Sequence, residues 1–255
     1  MLSHRDIHIS DYIKKNGFWG QKETIIAKAF VLNKKNVNIL DIGANIGGFT
    51  LPMAKFISKN NGKVFSFEPQ RIIFQQLCAN IILNRLDNVF TYNFALGDKV
   101  QKINIPELDL WKSENSGGLS IDTNIRKKLN EDSEKGLNFK NFEKENRYNV
   151  EQVTLDSLEF SFVINFVKVD IEGYELEFLN GANKTLKKND FPPIVYELWS
   201  SKSWYKEKAD KINKLLENWG YNLNIFGKEI LAQHPNHPTQ CKITRVGDRV
   251  DLKII

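Results

Sequence analysis

The patterning of this chain predicts an α/β fold built on a mostly parallel, doubly wound sheet with an antiparallel C-terminal edge. Three observations carry that expectation. Short apolar, β-branched runs alternate with amphipathic segments along much of the chain. The run at 37–42 ends in a glycine turn and the run at 63–68 ends in an acid, which gives strand, turn, helix and strand in succession. The segment INFVKVD at 164–170 is nearly continuously apolar, as a central parallel strand covered on both faces must be.

In order, residues 1–36 are expected to form a helical preface, with IIAKAFVL supplying an apolar face, before a domain spanning 37–255. The first strand is 37–42, followed by a helix over about 47–58 that Pro52 should kink or start late. The second strand is 63–68. Pro69 then opens a helix over about 70–84. A third strand over 89–96 closes at Gly97-Asp98, a turn signal.

Regularity fades from 97 to 150, where strand-like QKINIP and the pair Gly117-Gly118 precede a lysine- and glutamate-rich tract. A long stretch of this kind between two strands reads as an insertion bordering the ligand site, with 124–146 helical or mobile. After the fourth strand at 164–170, IEGYELEFLNGANKTL reads as one helix closing near Asn189. IVYELW is the fifth strand and 203–219 an amphipathic helix stopped by Gly220. YNLNIF, CKITRV and DLKII form the antiparallel edge.

Bulk properties exclude several classes. The net charge is +5, yet the polar stretch 97–150 holds ten basic and ten acidic residues, and only Arg126-Lys127-Lys128 forms a dense basic run. Nucleic acid is therefore not the expected partner. No apolar run approaches the roughly 20 residues of a membrane span. The start is polar and mixed in charge, and Cys78 and Cys241 show no metal spacing. A reduced, cytoplasmic setting is expected, with no metal.

The turn after the first strand identifies the ligand class. Gly43, Asn45, Gly47 and Gly48 let the backbone approach a nucleoside, and Glu68, ending the next strand, is placed to take ribose hydroxyls. A dinucleotide site would carry glycine where Asn45 stands, and the phosphate-loop signature is absent. A phosphate-free adenosyl ligand fits, and S-adenosylmethionine (SAM) is that ligand. Its carboxylate would lie near the amides that open the following helix. Ligands in such sheets sit at the carboxyl ends of the strands where the winding reverses, which points to 41–47 and 170–173. Asp170 at a strand tip, with Glu172 after it, could position an acceptor, face the sulfonium or take a proton. As structural alternatives, Glu172 and Glu175 could simply favour a helix dipole.

DIGANIGGFT, FSFEP, NFALGD, VTLDSL and VKVDIEGYE, in that order, resemble the FkbM family of SAM-dependent methyltransferases. The resemblance runs from about 37 to 198, interrupted by the insertion, and implies a Rossmann-like class I methyltransferase fold. It implies that Asp41, Gly43, Ala44, Asn45 and Gly47 surround the methionine part of SAM and that Glu68, with Pro69 beside it, holds the ribose. Ala95 and Leu96 would line the adenine, and Asp170, Glu172 and Gly173 would face methyl and acceptor. Members act on hydroxyls, often of sugars or polyketide-derived compounds, so a small-molecule or glycan hydroxyl is the expected acceptor.

The Asn/Asp-Pro-Pro-aromatic motif of base amino methylases is replaced by Asp-Ile-Glu-Gly, which favours oxygen. Glu197 could add a magnesium ligand but reads better as an acceptor-binding carboxylate. His4, His8, His234 and His237 could each be a general base brought in from a terminus, but simple solvation is the default reading for a lone loop histidine. Trp111, Trp199 and Trp204 could stack on a sugar, with core packing as the default. Two other readings stay open. One is an RNA ribose 2′-O-methyltransferase using Lys168, Asp170 and Glu197 with Arg126 to Lys128 on phosphates; the other is a non-catalytic SAM-binding module.

Overall fold

A computed structural model describes residues 2, 6, 8–108, 117–131, 143–246 and 249–255. The strands that follow one another as β-branched runs assemble into one seven-stranded sheet. They are β1 (Asn38–Ile42), β2 (Lys63–Phe67), β3 (Val89–Tyr92), β7 (Phe166–Val169), β8 (Ile194–Glu197), β9 (Asn222–Phe226) and β10 (Glu229–Gln233), in the order β3-β2-β1-β7-β8-β10-β9. Neighbours from β3 to β8 are parallel, and β10 runs antiparallel to both β8 and β9. The winding reverses between β1 and β7, whose tips lie side by side.

Residues alternate between two helical layers, as the two-residue period of a strand requires. Ile39, Val64, Phe166, Val195 and Leu231 pack with helices α2 (Gln21–Val31) and α3 (Thr50–Ile57). Leu40, Phe65, Val167, Ile194 and Ile230 face the opposite layer, which includes α6 (Glu175–Asn180), α7 (Asn183–Lys188) and α8 (Lys206–Asn218). Helices α1 (Ile9–Asn16) and α4 (Arg71–Leu83) complete the regular part. Pro52 falls in the first turn of α3, which starts at Thr50, so the helix starts late and is not kinked.

Four expectations are corrected. The stretch after β3 is not irregular: β4 (Ala95–Leu96), β5 (Gln101–Leu108) and β6 (Glu143–Val153) form a second sheet, with α5 (Thr123–Glu131) between β5 and β6. The expected third strand therefore breaks after Tyr92, because Ala95 and Leu96 pair with β6 instead. The single helix expected after the fourth strand begins only at Glu175 and is interrupted at Gly181, whose own Cβ would stand 2.0 Å from the Gly97 carbonyl oxygen. At the C-terminus the sheet edge is completed by EILAQ, a strand that follows the Gly227 turn. CKITRV and RVDLKI form a separate hairpin, β11 (Cys241–Val246) with β12 (Arg249–Ile254). His4, Trp111, much of the charged tract and Gly247-Asp248 lie outside the described residues. No helix among the described residues is long and apolar enough to cross a membrane.

One polar row runs through the sheet beneath the α3 layer. Asp41, 0% exposed, accepts from the Thr50 hydroxyl at 2.6 Å, and that hydroxyl also meets the Ser66 hydroxyl at 2.7 Å. The Lys168 ammonium lies 3.1 Å from Asp41 and donates to the Gly43 carbonyl at 2.7 Å. Burial alone would lower this lysine's pKa, but Asp41 and Asp170 outweigh it and hold the ammonium charged. Removing one partner of a buried pair leaves the other charge uncompensated. Lys168→Met should therefore cost about 3–5 kcal/mol, read as a lowered urea midpoint at pH 7. A midpoint within error of the parent protein would show that Asp41 does not depend on this ammonium.

Candidate active site

A cavity of about 420 Å³ opens over the β1 and β7 tips, within the few-hundred-Å³ range of small-ligand sites. Its floor is set by one close approach. Gly43 has φ +79°, and a Cβ there would lie 1.9 Å from the carbonyl oxygen of Asp170, so only glycine lets the two tips touch.

The loop from Gly43 to Gly47 has committed its own amides. Gly43 and Ala44 N–H groups donate to the Phe67 carbonyl, Asn45 N–H to Glu68, Ile46 N–H to the Asn45 side chain, and Gly47 N–H to the Ala44 carbonyl. No nest of amides is left there for a pyrophosphate, and the nearest ammonium, Lys168, is already paired. The Asn45 side chain does not project into the ligand space: Asn45 adopts φ +48° and its Oδ1 turns back 2.7 Å onto Ile46 N–H. A phosphate-free adenosyl ligand suits this donor set.

Glu68 ends β2, 7% exposed, and accepts from Asn45 N–H at 2.9 Å and Gln70 N–H at 2.8 Å, one bond to each oxygen. A carboxylate offers about four lone-pair sites, so two remain for a ribose diol. Burial raises Glu68 to about 7, against the two amide bonds and Lys168, which lower it. Asn93 Nδ2 donates to the Glu68 carbonyl at 2.8 Å and fixes the strand end. Pro69, Phe94, Ala95 and Leu96 give an apolar wall suited to adenine.

On the acceptor side, Asp170 and Glu172 line the cavity, with Glu197 from the end of β8. Glu172 adopts φ +53°, an uncommon conformation for a residue with a side chain. Burial, then Asp170, Glu197 and Glu175, raise its carboxyl well above the usual range. Glu197 is raised by burial and Asp170, against Lys228 at 3.3 Å.

Asp41 and Gly47 do not line the cavity. Asp41 shares its face of β1 with Ile39 and turns toward α3, where it holds the floor from behind. Gly43, Ala44, Asn45, Glu68, Pro69, Ala95, Leu96, Asp170 and Glu172 do line it. Of the candidate bases, His8 reaches the cavity, His234 stacks on Phe191, and His237 bonds Thr239 and is held below its ordinary pKa by burial. Trp199 both lines the cavity and packs on Tyr205, while Trp204 packs against Trp199 and Tyr205. Among the described residues no group of three or more His, Cys, Asp or Glu side chains is arranged to hold a metal.

Several residues escaped the sequence reading. Trp19 and Glu23, from the N-terminal preface, line the cavity; burial raises Glu23 to about 7. Glu175, read from the sequence only as an acid favouring a helix dipole, is 2% exposed and accepts from Gly173 N–H at 3.1 Å and from the Tyr205 hydroxyl at 2.8 Å, tying down the loop that carries Glu172. Its placement in the first turn of α6 was the only local signal. Tyr148 on β6 accepts from Arg71 N–H at 2.7 Å and so braces the loop after Glu68.

The chain belongs to the FkbM methyltransferase family: the Methyltransferase FkbM domain model matches residues 41–223. The cofactor of this family and of this site is SAM. Among solved structures, Methyltransferase FkbM from Methylobacillus flagellatus KT superposes with a TM-score of 0.51 at 16% identity, covering 80% of this chain and 45% of that one, which is a likeness of fold. Two curated relatives match shorter stretches. The 23S rRNA (uracil(1939)-C(5))-methyltransferase RlmD of Marinomonas posidonica is 31% identical over 96 residues, 38% of this chain and 20% of that protein. The tRNA(Phe) (4-demethylwyosine(37)-C(7)) aminocarboxypropyltransferase of Methanocaldococcus jannaschii is 39% identical over 61 residues, 24% of this chain and 23% of that protein. The matches thus span about a fifth to a quarter of these curated relatives.

Glu68→Ala should weaken SAM binding about 100-fold in calorimetry, since two charge-assisted hydrogen bonds are lost. Ribose hydroxyls donate to the ionised form of Glu68, so affinity in the parent protein should fall as pH drops below about 7, by up to about tenfold per pH unit. Glu68→Gln should lack that dependence. A flat affinity from pH 5.5 to 8 in the parent would remove Glu68 from the ribose.

Proposed function

We propose that this protein is a SAM-dependent O-methyltransferase whose acceptor is a hydroxyl of a small molecule or glycan sugar. The observation that carries the reading is the convergence on one cavity of Glu68 from β2 with Asp170, Glu172 and Glu197 from the ends of β7 and β8. Bound SAM supplies a methyl group on a positively charged sulfur. The protein supplies alignment, a water-poor pocket and a place for the proton.

Asp170 and Glu172 divide the acceptor side. Asp170, at the tip of β7 and 3.8 Å from the Lys168 ammonium, is placed to face the positive charge of the sulfonium. Glu172, held well above the usual carboxylate range by burial and neighbouring acids, is the better proton acceptor near neutral pH. As the acceptor oxygen takes the methyl group that SAM would supply, Glu172 would receive the hydroxyl proton. Gly173 N–H, Glu175 and Tyr205 hold the loop in its strained form while this happens.

The RNA reading draws less support from the geometry. Arg126, 4% exposed, donates to the Ser120 carbonyl at 2.7 Å and to Thr123 at 3.0 Å, so the basic run does not present it to phosphates. Lys168 is engaged beneath the floor. That leaves Lys127 and Lys128, and Lys128 lies 3.4 Å from Glu131.

The test is incubation with labelled SAM and a panel of sugars, glycosides, lipids and RNA, followed by mass spectrometry. An oxygen-linked methyl on a non-RNA acceptor is expected. Methylation of RNA with a steep salt dependence would favour the other reading, and tight SAM binding with no product across the panel would favour a non-catalytic module. With the acceptor in hand, Glu172→Gln should bind SAM within about threefold of the parent but turn over about 10²–10⁴-fold more slowly. Near-normal turnover by Glu172→Gln would remove it as the base.

A further inference from the structure

The acceptor half of the cavity is short of positive charge. Asp170, Glu172, Glu197 and Glu23 face it, and the lysines there are Lys168, Lys202 and Lys228. Lys168 is committed to Asp41 and the Gly43 carbonyl, and Lys228 to Glu197 at 3.3 Å. Glu23 has no ion pair among the described residues, and Glu172, half-buried in the cavity wall, has neither ion pair nor hydrogen bond there. The sulfonium adds one positive charge, and Asp170 at the strand tips is the acid placed to meet it. Glu172 is left without a partner.

We propose that the acceptor carries a basic amine beside its reactive hydroxyl, as in an amino sugar or amino alcohol, and that its ammonium is held between Glu172 and Glu197 under Trp199. The proposal rests on the hydroxyl-methylation reading and names the acceptor class within it. Trp199 packs against Gly173, where a Cβ would come within 3.1 Å of its ring, so the indole lies beside the loop that carries the unpaired carboxylate and lines the same cavity. A desolvated ammonium gains from both.

The charges around Glu172 explain why a cationic acceptor also serves the chemistry. From its own stretch it faces Asp170 and Glu175; from β8, Glu197; from the β9–β10 turn, Lys228; and from the turn before α8, the Tyr205 hydroxyl. Burial and three carboxylates raise the Glu172 carboxyl well above its ordinary range, opposed by one lysine whose side chain is 73% exposed. An arriving ammonium reverses that balance. The Glu172 proton leaves to solvent, and the carboxylate formed is then free to take the proton of the adjacent hydroxyl. The amine-bearing acceptor thus charges its own base.

The experiment is titration calorimetry on the protein saturated with S-adenosylhomocysteine, at pH 7 in two buffers of different ionisation heat. The probes are matched pairs: glucosamine and N-acetylglucosamine, galactosamine and N-acetylgalactosamine, ethanolamine and N-acetylethanolamine. At least one amine should bind ten times or more tighter than its acetylated partner and release a proton on binding. Glu172→Gln should keep its affinity for S-adenosylhomocysteine, which reports an intact fold, and lose both the preference and the proton release. Equal affinities within every pair, binding of no amine at millimolar concentration, or a preference that survives Glu172→Gln would each overturn the proposal. Methyl transfer to neutral hydroxyls without amine preference would overturn the amine and leave O-methylation standing. Amine binding accompanied by transfer to nitrogen or carbon would do the reverse.

Discussion

Everything at this site depends on the contact between two strand tips. Because Gly43 has no side chain, the loop after β1 can lie directly on the Asp170 carbonyl. With the tips in contact, one ammonium serves both: Lys168 holds Asp41 from below, the Gly43 carbonyl at the turn, and Asp170 at the rim. A carboxylate as buried as Asp41 is tolerable only while every partner is in place, and Thr50, whose hydroxyl also meets that of Ser66, completes the set. The cofactor loop is therefore held from beneath by the Asp41 carboxylate, which does not line the cavity, through Lys168, which does. The amides from Gly43 to Gly47 are taken up by the Phe67 carbonyl, by Glu68 and by the loop itself, which leaves none of them for a pyrophosphate.

How much of this was readable follows from how local each cause is. β1, β2, β7 and β8 are apolar on both faces, so their runs stand out without partners, and Glu68 is legible because it closes a strand soon after a glycine turn. Asp41 was misread. Motif position suggests a ligand contact, whereas the two-residue period puts its side chain on the face of Ile39, toward α3. The second sheet was missed because β6, EKENRYNVEQV, is mostly polar and pairs with β5 some 40 positions away in sequence. EILAQ is only five residues long, and Gly227, with φ +97° in the turn before it, was its one signal. Trp19 and Glu23 reach the cavity by the packing of α2 across the sheet, which no local pattern encodes.

The second sheet is also what joins the two halves of the site. Tyr148 braces the loop after Glu68 through Arg71 N–H and lies 3.1 Å from Gln70. Four residues along the same strand, Gln152 accepts from the Tyr174 hydroxyl at 2.9 Å and donates to the Lys99 carbonyl at 3.0 Å. Ile125 of α5 occupies the space a side chain at Gly173 would need. The ribose loop and the acceptor loop are thus fastened to one insertion rather than only to their own strands. A shift of β6 cannot move one without straining the other.

The same carboxylates that make the cavity useful make it costly to the free fold. Glu23, Glu68 and Glu175 are each raised by burial from the ordinary 4.5 to about 7. Between those values the folded chain binds more protons than the unfolded one, so stability falls with rising pH across that window. Their favourable contribution is complete below about 4.5 and is lost as pH climbs through about 7. At neutral pH these acids are therefore held at a cost to the fold. Under the proposed reading, ribose hydroxyls at Glu68 and a positive charge near Glu172 would relieve that cost, and each would lower the pKa of the group it meets. Part of the binding energy would then be the release of a penalty already built into the fold. Filling the cavity wall with neutral residues would gain stability and forfeit the grip on the ligand.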